Sequence, residues 1–141
     1  MKLILPLSVT IPRKTKADRV WILNLNSYRN THHMVLNQAK IAYREAVEWE
    51  IIRLGMGIGN DQIGFVPPPY HFTYTVFPAN KRKFDLANVL PIIQKFTDDA
   101  LISMRVISDD SWRVIPAINY RFGGIDGENP RCELEIKPLE A

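Results

Sequence analysis

The stretch His71-Phe-Thr-Tyr-Thr-Val-Phe77 alternates aromatic or β-branched residues with threonines, a pattern typical of a β-strand. Pro78 ends this strand. A helix is expected at residues 89–104, because apolar residues recur there every three or four positions. Asn88 suits its N-cap, and Pro91 is tolerated in the first turn. This strand and helix decide the fold, since the apolar face of the helix must pack on a sheet.

The segments on either side complete an α+β pattern. Residues 3–9 alternate as a strand, and residues 34–54 have helical spacing with Gly55 at the C-terminal end. Two more strands are expected at residues 112–122 and 131–137. We therefore expect one domain, residues 1–141, with about four strands in a mixed sheet and two helices packed on one face. Residues 12–33 are read as a long basic loop with a short extended piece at 21–23.

Composition excludes several classes of protein. The 141 residues carry 46% hydrophobic and 23% charged side chains, which argues against disorder and coiled coil. Cys132 is the only cysteine, which excludes an intramolecular disulfide framework and a Cys-rich zinc site. The apolar start is too short for a signal peptide, and no stretch suits a membrane span. We expect a soluble, cytoplasmic protein with no membrane partner, whose net charge of +3 permits a nucleic-acid partner.

Acidic residues gather in the second half of the chain, around the expected second helix. Asp85 precedes that helix and Asp109 and Asp110 follow it, while helical geometry puts Asp99 on a stripe with Lys95. Asp98 is expected to point outward to solvent. Carboxylates that converge from separate elements can bind magnesium, and a nearby lysine can stabilise a phosphoryl transition state. Spacing alone leaves ordinary surface aspartates as the alternative.

Four short motifs in this half resemble those of the RusA-type Holliday junction resolvases. Two earlier segments agree more loosely. The motifs are Asp85-Leu-Ala-Asn88, Gln94-Lys95, Asp99-Ala-Leu101 and Ile107-Ser-Asp109-Asp110, and the earlier segments are Asn26-Ser-Tyr28-Arg29 and Ala42-Tyr43-Arg44.

The resemblance implies a homodimeric, magnesium-dependent endonuclease that cuts four-way DNA junctions in phage or prophage recombination and repair. Mn²⁺ is a possible substitute for Mg²⁺. It implies a nucleoid-associated place in a bacterial or phage-infected cell. It carries the metal-binding role to Asp85 and Asp110 and the catalytic lysine to Lys95.

One departure concerns the metal ligands. The family pattern Asp-x-Asp-Asn has a second aspartate where this chain has Ala87. Asp99 or Asp109 could replace that carboxylate as a further metal ligand, or water could. The alternative is a catalytically weakened module that binds branched DNA without cutting it.

Basic residues give a separate argument for DNA binding. Side chains that contact phosphates bind with little regard to sequence, which suits recognition of a junction by shape. The alternative interpretation is a set of solvated surface charges. The residues expected to contact DNA are Arg13, Lys14, Lys16, Arg29, Lys40, Arg44, Lys81, Arg82 and Lys83.

Overall fold

The computed structural model describes residues 1–56, 58–63, 66–82 and 84–139. No helix within these ranges is long and apolar enough to cross a membrane. The strands are β1 (Lys2–Leu5), β2 (Ser8–Ile11), β3 (Arg19–Ile22), β4 (Tyr70–Phe77), β5 (Ala117–Phe122) and β6 (Arg131–Pro138). The helices are α1 (Leu25–Asn30), α2 (His33–Leu54) and α3 (Leu86–Ser103).

Strand β4 lies inside a four-stranded mixed sheet of order β1-β6-β4-β5. It pairs antiparallel with β6 and parallel with β5. Phe72 lies opposite Ile136 and Tyr74 opposite Leu134, so their side chains share one face. Strands β2 and β3 form a separate antiparallel hairpin.

Helix α3 makes the crossover that the parallel pair β4 and β5 requires. It packs on the apolar face of the sheet, and α2 packs against α3. That face of β4 is fully buried because Tyr70, Phe72, Tyr74 and Val76 all point into the core. The expected α+β class, with a four-stranded mixed sheet and two main helices, is confirmed.

Phe96 of α3 joins the hairpin and the helices in one aromatic cluster. Its ring stacks on Trp21 of β3 at a centroid distance of 5.6 Å. Tyr43 of α2 and Tyr28 of α1 meet the same ring edge-on, at 5.7 and 6.4 Å. The Tyr43 hydroxyl also shares a 2.6 Å hydrogen bond with Thr97. These contacts hold the hairpin and both other helices against α3.

The other face of the sheet carries polar and charged side chains. Lys2 pairs with Glu133 at 3.1 Å, and Lys137 pairs with Glu135 at 2.9 Å. The first pair joins β1 to β6 and the second lies within β6, and paired charges of this kind are usual on a solvated sheet face.

The prediction for residues 12–33 is wrong in extent. Strand β3 begins at Arg19, and the six-residue helix α1 follows at Leu25. Asn24 caps that helix, since its side-chain oxygen accepts a 2.7 Å hydrogen bond from the Ser27 N–H. Elements this short show no full hydrophobic period, so the sequence pattern gives them no clear signal.

The prediction of one strand at residues 3–9 is wrong, because this segment divides between β1 and β2, which belong to different sheets. Two further predicted boundaries move. Helix α3 begins at Leu86 rather than Val89, with Asp85 as its N-cap residue, so Pro91 lies inside the helix. Strand β5 begins at Ala117, because residues 111–115 form a turn in which Val114 and Ile115 both donate to the Ser111 carbonyl. The predictions for residues 34–54 and 131–137 agree with α2 and β6 to within one residue.

Candidate functional site

Asp85 occupies the N-cap position of α3 with an exposed side chain. Within the described part of the chain its carboxylate makes no capping hydrogen bond to the helix. Lys81 and Arg82 lie exposed in the preceding turn, where the Arg82 N–H donates to Asn80 at 2.9 Å. The predicted DNA contact Lys83 lies outside the described residues. This end of α3 therefore combines an uncommitted carboxylate with two cations.

Asp98 is buried, and the expectation that it points to solvent is wrong. Its side chain is only 3% exposed, and one carboxylate oxygen, Oδ1, has no hydrogen-bond partner among the described residues. Burial first and the negative charge of Asp110 second raise the pKa of Asp98 to about 7. Asp99 adds to this rise, while Gln94 and Lys95 oppose it.

Strand β5 explains why the Asp98 side of α3 is covered. The Tyr120 hydroxyl donates a hydrogen bond to Oε1 of Gln94, which lies one helical turn before Asp98. With that oxygen occupied, the amide NH₂ of Gln94 is the group left to donate to Asp98. The buried Tyr74 hydroxyl lies on the same side, and its pKa is raised by burial first and by the Asp98 charge second.

We call Asp98 and Asp110 the acidic pair. Two carboxylates that repel each other, one of them buried with an unpaired oxygen, form a place where a cation would be stabilised. Mg²⁺ is usually held by one or two carboxylates and several waters, so the acidic pair supplies the kind of donor atom that this ion takes. Lys95 is exposed and precedes Asp98 on α3 by about one helical turn. Its positive charge lowers the pKa of Asp98.

The sequence matches no protein-family model, and a search of curated proteins finds no match.

Asp85 does not lie beside the acidic pair. Asp85 is the N-cap residue of α3 and Asp98 lies in the second half of that helix. The two are about 20 Å apart along an axis that rises about 1.5 Å per residue. Within residues 1–56, 58–63, 66–82 and 84–139, no three His, Cys, Asp or Glu side chains are grouped to hold a metal. The structure therefore does not bring Asp85 and Asp110 together in one chain.

Asp109 and Asp99 have separate surroundings. Asp109 accepts a 2.8 Å hydrogen bond from the Ser111 N–H, and hydrogen bonds from Ser111 lower the pKa of its carboxyl. Its carboxylate thus stabilises the turn. Asp99 is exposed on the opposite flank of α3 from Asp98 and lines a groove of about 180 Å³ between α2 and α3.

Two predicted DNA contacts share that groove with Asp99. Lys40 lies with its Nζ 5.9 Å from the centre of the Phe96 ring, and Arg44 donates to the Ser103 hydroxyl at 3.3 Å. Both side chains line the groove and reach its surface. The groove therefore presents two cations to a phosphate, and Phe96 of the aromatic cluster forms part of its wall.

The remaining predicted contacts lie on the hairpin and α1. Arg13, Lys14 and Lys16 are exposed in the connection between β2 and β3, where Arg13 donates to the Ala17 carbonyl at 2.7 Å. Arg29 is exposed in the last turn of α1. The structure thus distributes the predicted basic residues over α1, α2, the connection between β2 and β3 and the turn before α3.

Asp98 is the residue that sequence reasoning missed. The available signal was its spacing from Gln94, because two polar residues one turn apart can share a covered flank of a helix. The helix pattern could not say which of its two flanks β5 would cover.

Proposed function

We propose that the protein is a magnesium-dependent endonuclease that acts on branched DNA, such as a four-way junction. The observation that carries this proposal is the buried Asp98 carboxylate, which has an unpaired oxygen within the described residues and faces the charge of Asp110. The resemblance to RusA-type resolvases supplies the substrate class. The exposed basic side chains on α1, on α2 and in the connections suit a polyanionic partner.

Each residue of the proposed site would have a separate role in cleavage. Asp98 and Asp110 would hold the ion, and Gln94 would keep the Asp98 carboxylate oriented. Lys95 would stabilise negative charge on the phosphoryl group, while Lys40 and Arg44 would hold flanking phosphates. The chemistry that Mg²⁺ supplies at such a site is activation of water and stabilisation of the attacking and leaving oxygens.

The homodimer implied by the resemblance gives Asp85 a role. Because Asp85 lies about 20 Å from the acidic pair of its own chain, it cannot share that ion within one protomer. A two-fold dimer repeats every surface, so Asp85 of a second copy could approach the acidic pair of the first. Two such sites would permit paired cuts across a two-fold junction.

Cleavage of a labelled synthetic four-way junction tests the proposal. Wild-type protein is expected to give paired nicks with Mg²⁺ and none with EDTA, with linear duplex as the substrate control. Asp98→Asn and Asp110→Asn should each lower the cleavage rate about a hundredfold or more, because each removes a charged ligand with little change of volume. Junction affinity should change little.

Glu128→Gln is the matched control, because it makes the same change of acid to amide at an exposed site in the loop between β5 and β6. It should cleave like the wild type. Unchanged cleavage by Asp98→Asn would refute the role of the acidic pair. A protein that neither cuts nor binds the junction would refute the proposal as a whole.

A second candidate function is a module that binds branched DNA without cutting it. The observation in its favour is the separation of Asp85 from Asp110, together with Ala87 at the family's second aspartate. Tight junction binding without cuts, in both Mg²⁺ and Mn²⁺, would favour this function. Ala87→Asp would then be the first variant to test for recovery of cleavage.

A further inference from the structure

A cleft of about 370 Å³ opens between the start of the hairpin and the first turn of α3. Leu7, Ile22, Val76 and Val89 are among its apolar walls, and Phe84, the residue before Asp85, also lines it. The volume falls in the range of about 300–1,000 Å³ that is usual for pockets of small organic molecules. The walls are contributed by four separate elements, so the cleft is a product of the tertiary fold.

The lining suits a flat, largely apolar ring with polar edges. Apolar side chains from opposite sides can cover the two faces of such a ring. Asn24 and Asn88 bring side-chain amides to the same cleft. The Asn24 oxygen is committed to the Ser27 N–H at 2.7 Å, which leaves its NH₂ as a donor. Amides of this kind pair with the donors and acceptors on a base edge.

The charge around the cleft complements a phosphate. Arg82 lines the cleft, and Lys81 lies with Arg82 and Phe84 in a neighbouring groove of about 200 Å³. Both cations lie in the turn that leads into Asp85 and α3. A nucleotide whose base enters the cleft would therefore meet cations at the point where its phosphates leave it.

We propose that this cleft binds one unpaired nucleobase of a branched DNA, with Arg82 and Lys81 contacting the adjacent phosphates. The inference rests on the proposed function, since it takes DNA as the partner. Branched DNA offers unpaired or easily unpaired bases at the branch point, where unstacking is least costly. The base would position the backbone beside Asp85.

Two duplexes that differ by one base test the proposal. Each carries a single-nucleotide bulge, with thymine in one and an abasic site in the other, so both present the same phosphates. Wild-type protein is expected to bind the thymine bulge about tenfold more tightly in a fluorescence anisotropy titration, since stacking on protein side chains favours the base. Equal affinities would overturn the proposal and leave DNA binding intact.

Ser8→Phe tests the location, because Ser8 is an exposed residue at the cleft and a phenyl ring there would fill it. Thr10→Phe is the matched control on the same face of β2, two residues further along and outside the lining. Ser8→Phe should remove the tenfold preference and keep the affinity for the abasic bulge. Thr10→Phe should keep the preference, and loss of it in both variants would overturn the assignment.

Arg82→Gln should weaken binding of both bulges equally, because it removes a phosphate contact. Absence of binding to either DNA would overturn both the cleft proposal and the proposed function. Sedimentation of the DNA-free proteins tests the other occupant of such a cleft, a second copy of the chain. A change of oligomeric state in Ser8→Phe alone would assign the cleft to that contact and overturn the nucleobase.

Discussion

At Asp98, burial and a neighbouring negative charge act in the same direction. Both favour the neutral form of the carboxyl group, which explains why its pKa rises from 3.8 to about 7. An amide and an exposed lysine oppose the shift without cancelling it. A metal ion bound at the acidic pair would reverse the balance, because a cation favours the ionised carboxylate.

The pH dependence of stability follows from this shift. Between about pH 4 and pH 7 the folded state holds the Asp98 proton and the unfolded chain has lost it. The contribution of Asp98 to the free energy of unfolding is therefore complete below about pH 4 and is lost as the pH rises through 7. Urea denaturation in EDTA should show that Asp98→Asn lacks this loss.

Comparing the wild type with Asp98→Asn isolates the effect of Asp98 on stability. Carboxyl groups with lowered pKa values, such as Asp126, contribute equally to the pH dependence of both proteins. Glu128→Gln, the same change of acid to amide at an exposed site, is the matched control. A wild-type stability curve parallel to that of Asp98→Asn from pH 4 to 8 would contradict the prediction.

Helix α2 ends in a geometry that favours glycine. Gly55 has φ +67°, and its N–H donates to the Ile52 carbonyl while the Met56 N–H donates to Ile51. These two bonds form the Schellman ending of a helix. A Cβ at Gly55 would have open space around it, so a substitution there meets backbone strain without a steric clash.

Gly55→Ala is expected to lower the free energy of unfolding by about 1 kcal/mol, the cost of a left-handed conformation for a residue with a Cβ. Gly55→Asn should lose less, because asparagine adopts that region more readily. Chemical denaturation of the three proteins measures both differences. An unchanged midpoint for Gly55→Ala would show that the loop after α2 adjusts its backbone.

For the whole molecule, the exposed basic residues predict salt-dependent DNA binding. Each phosphate contact releases counterions, so the logarithm of the affinity should fall linearly with the logarithm of salt concentration. Lys14→Ala should make that slope shallower by about 1 if Lys14 contacts a phosphate. Lys137→Ala should leave the slope unchanged, because Lys137 is paired with Glu135 on the charged sheet face.

Junction-binding titrations from low to high salt measure these slopes. Equal slopes for the wild type and Lys14→Ala would remove Lys14 from the binding surface. A reduced slope for Lys137→Ala would place DNA on the sheet face, contrary to the expectation.

Long periodic segments could be predicted from sequence, and the short elements could not. Residues 34–54 and 71–77 repeat their apolar positions often enough to define both the element and its buried face. Helix α1, with six residues, and the four-residue strand β3 repeat too few positions for that. Their conformations depend on the side chain of Asn24 and on the packing of Trp21 against Phe96.

The sequence by itself determined the α+β class, the two main helices and the alternating faces of β4 and β6. It could do so because each depends on a repeat among residues that are near in the chain. Only the tertiary structure decided that Asp98 is buried while Asp99 is exposed, and that Asp85 lies far from Asp110. The first outcome depends on β5, which pairs beside β4 after a long connection and covers one flank of α3. The second depends on the segment after α3, which places the charge of Asp110 near Asp98 and so far along the helix from Asp85. No local pattern in α3 records which flank a distant strand will cover.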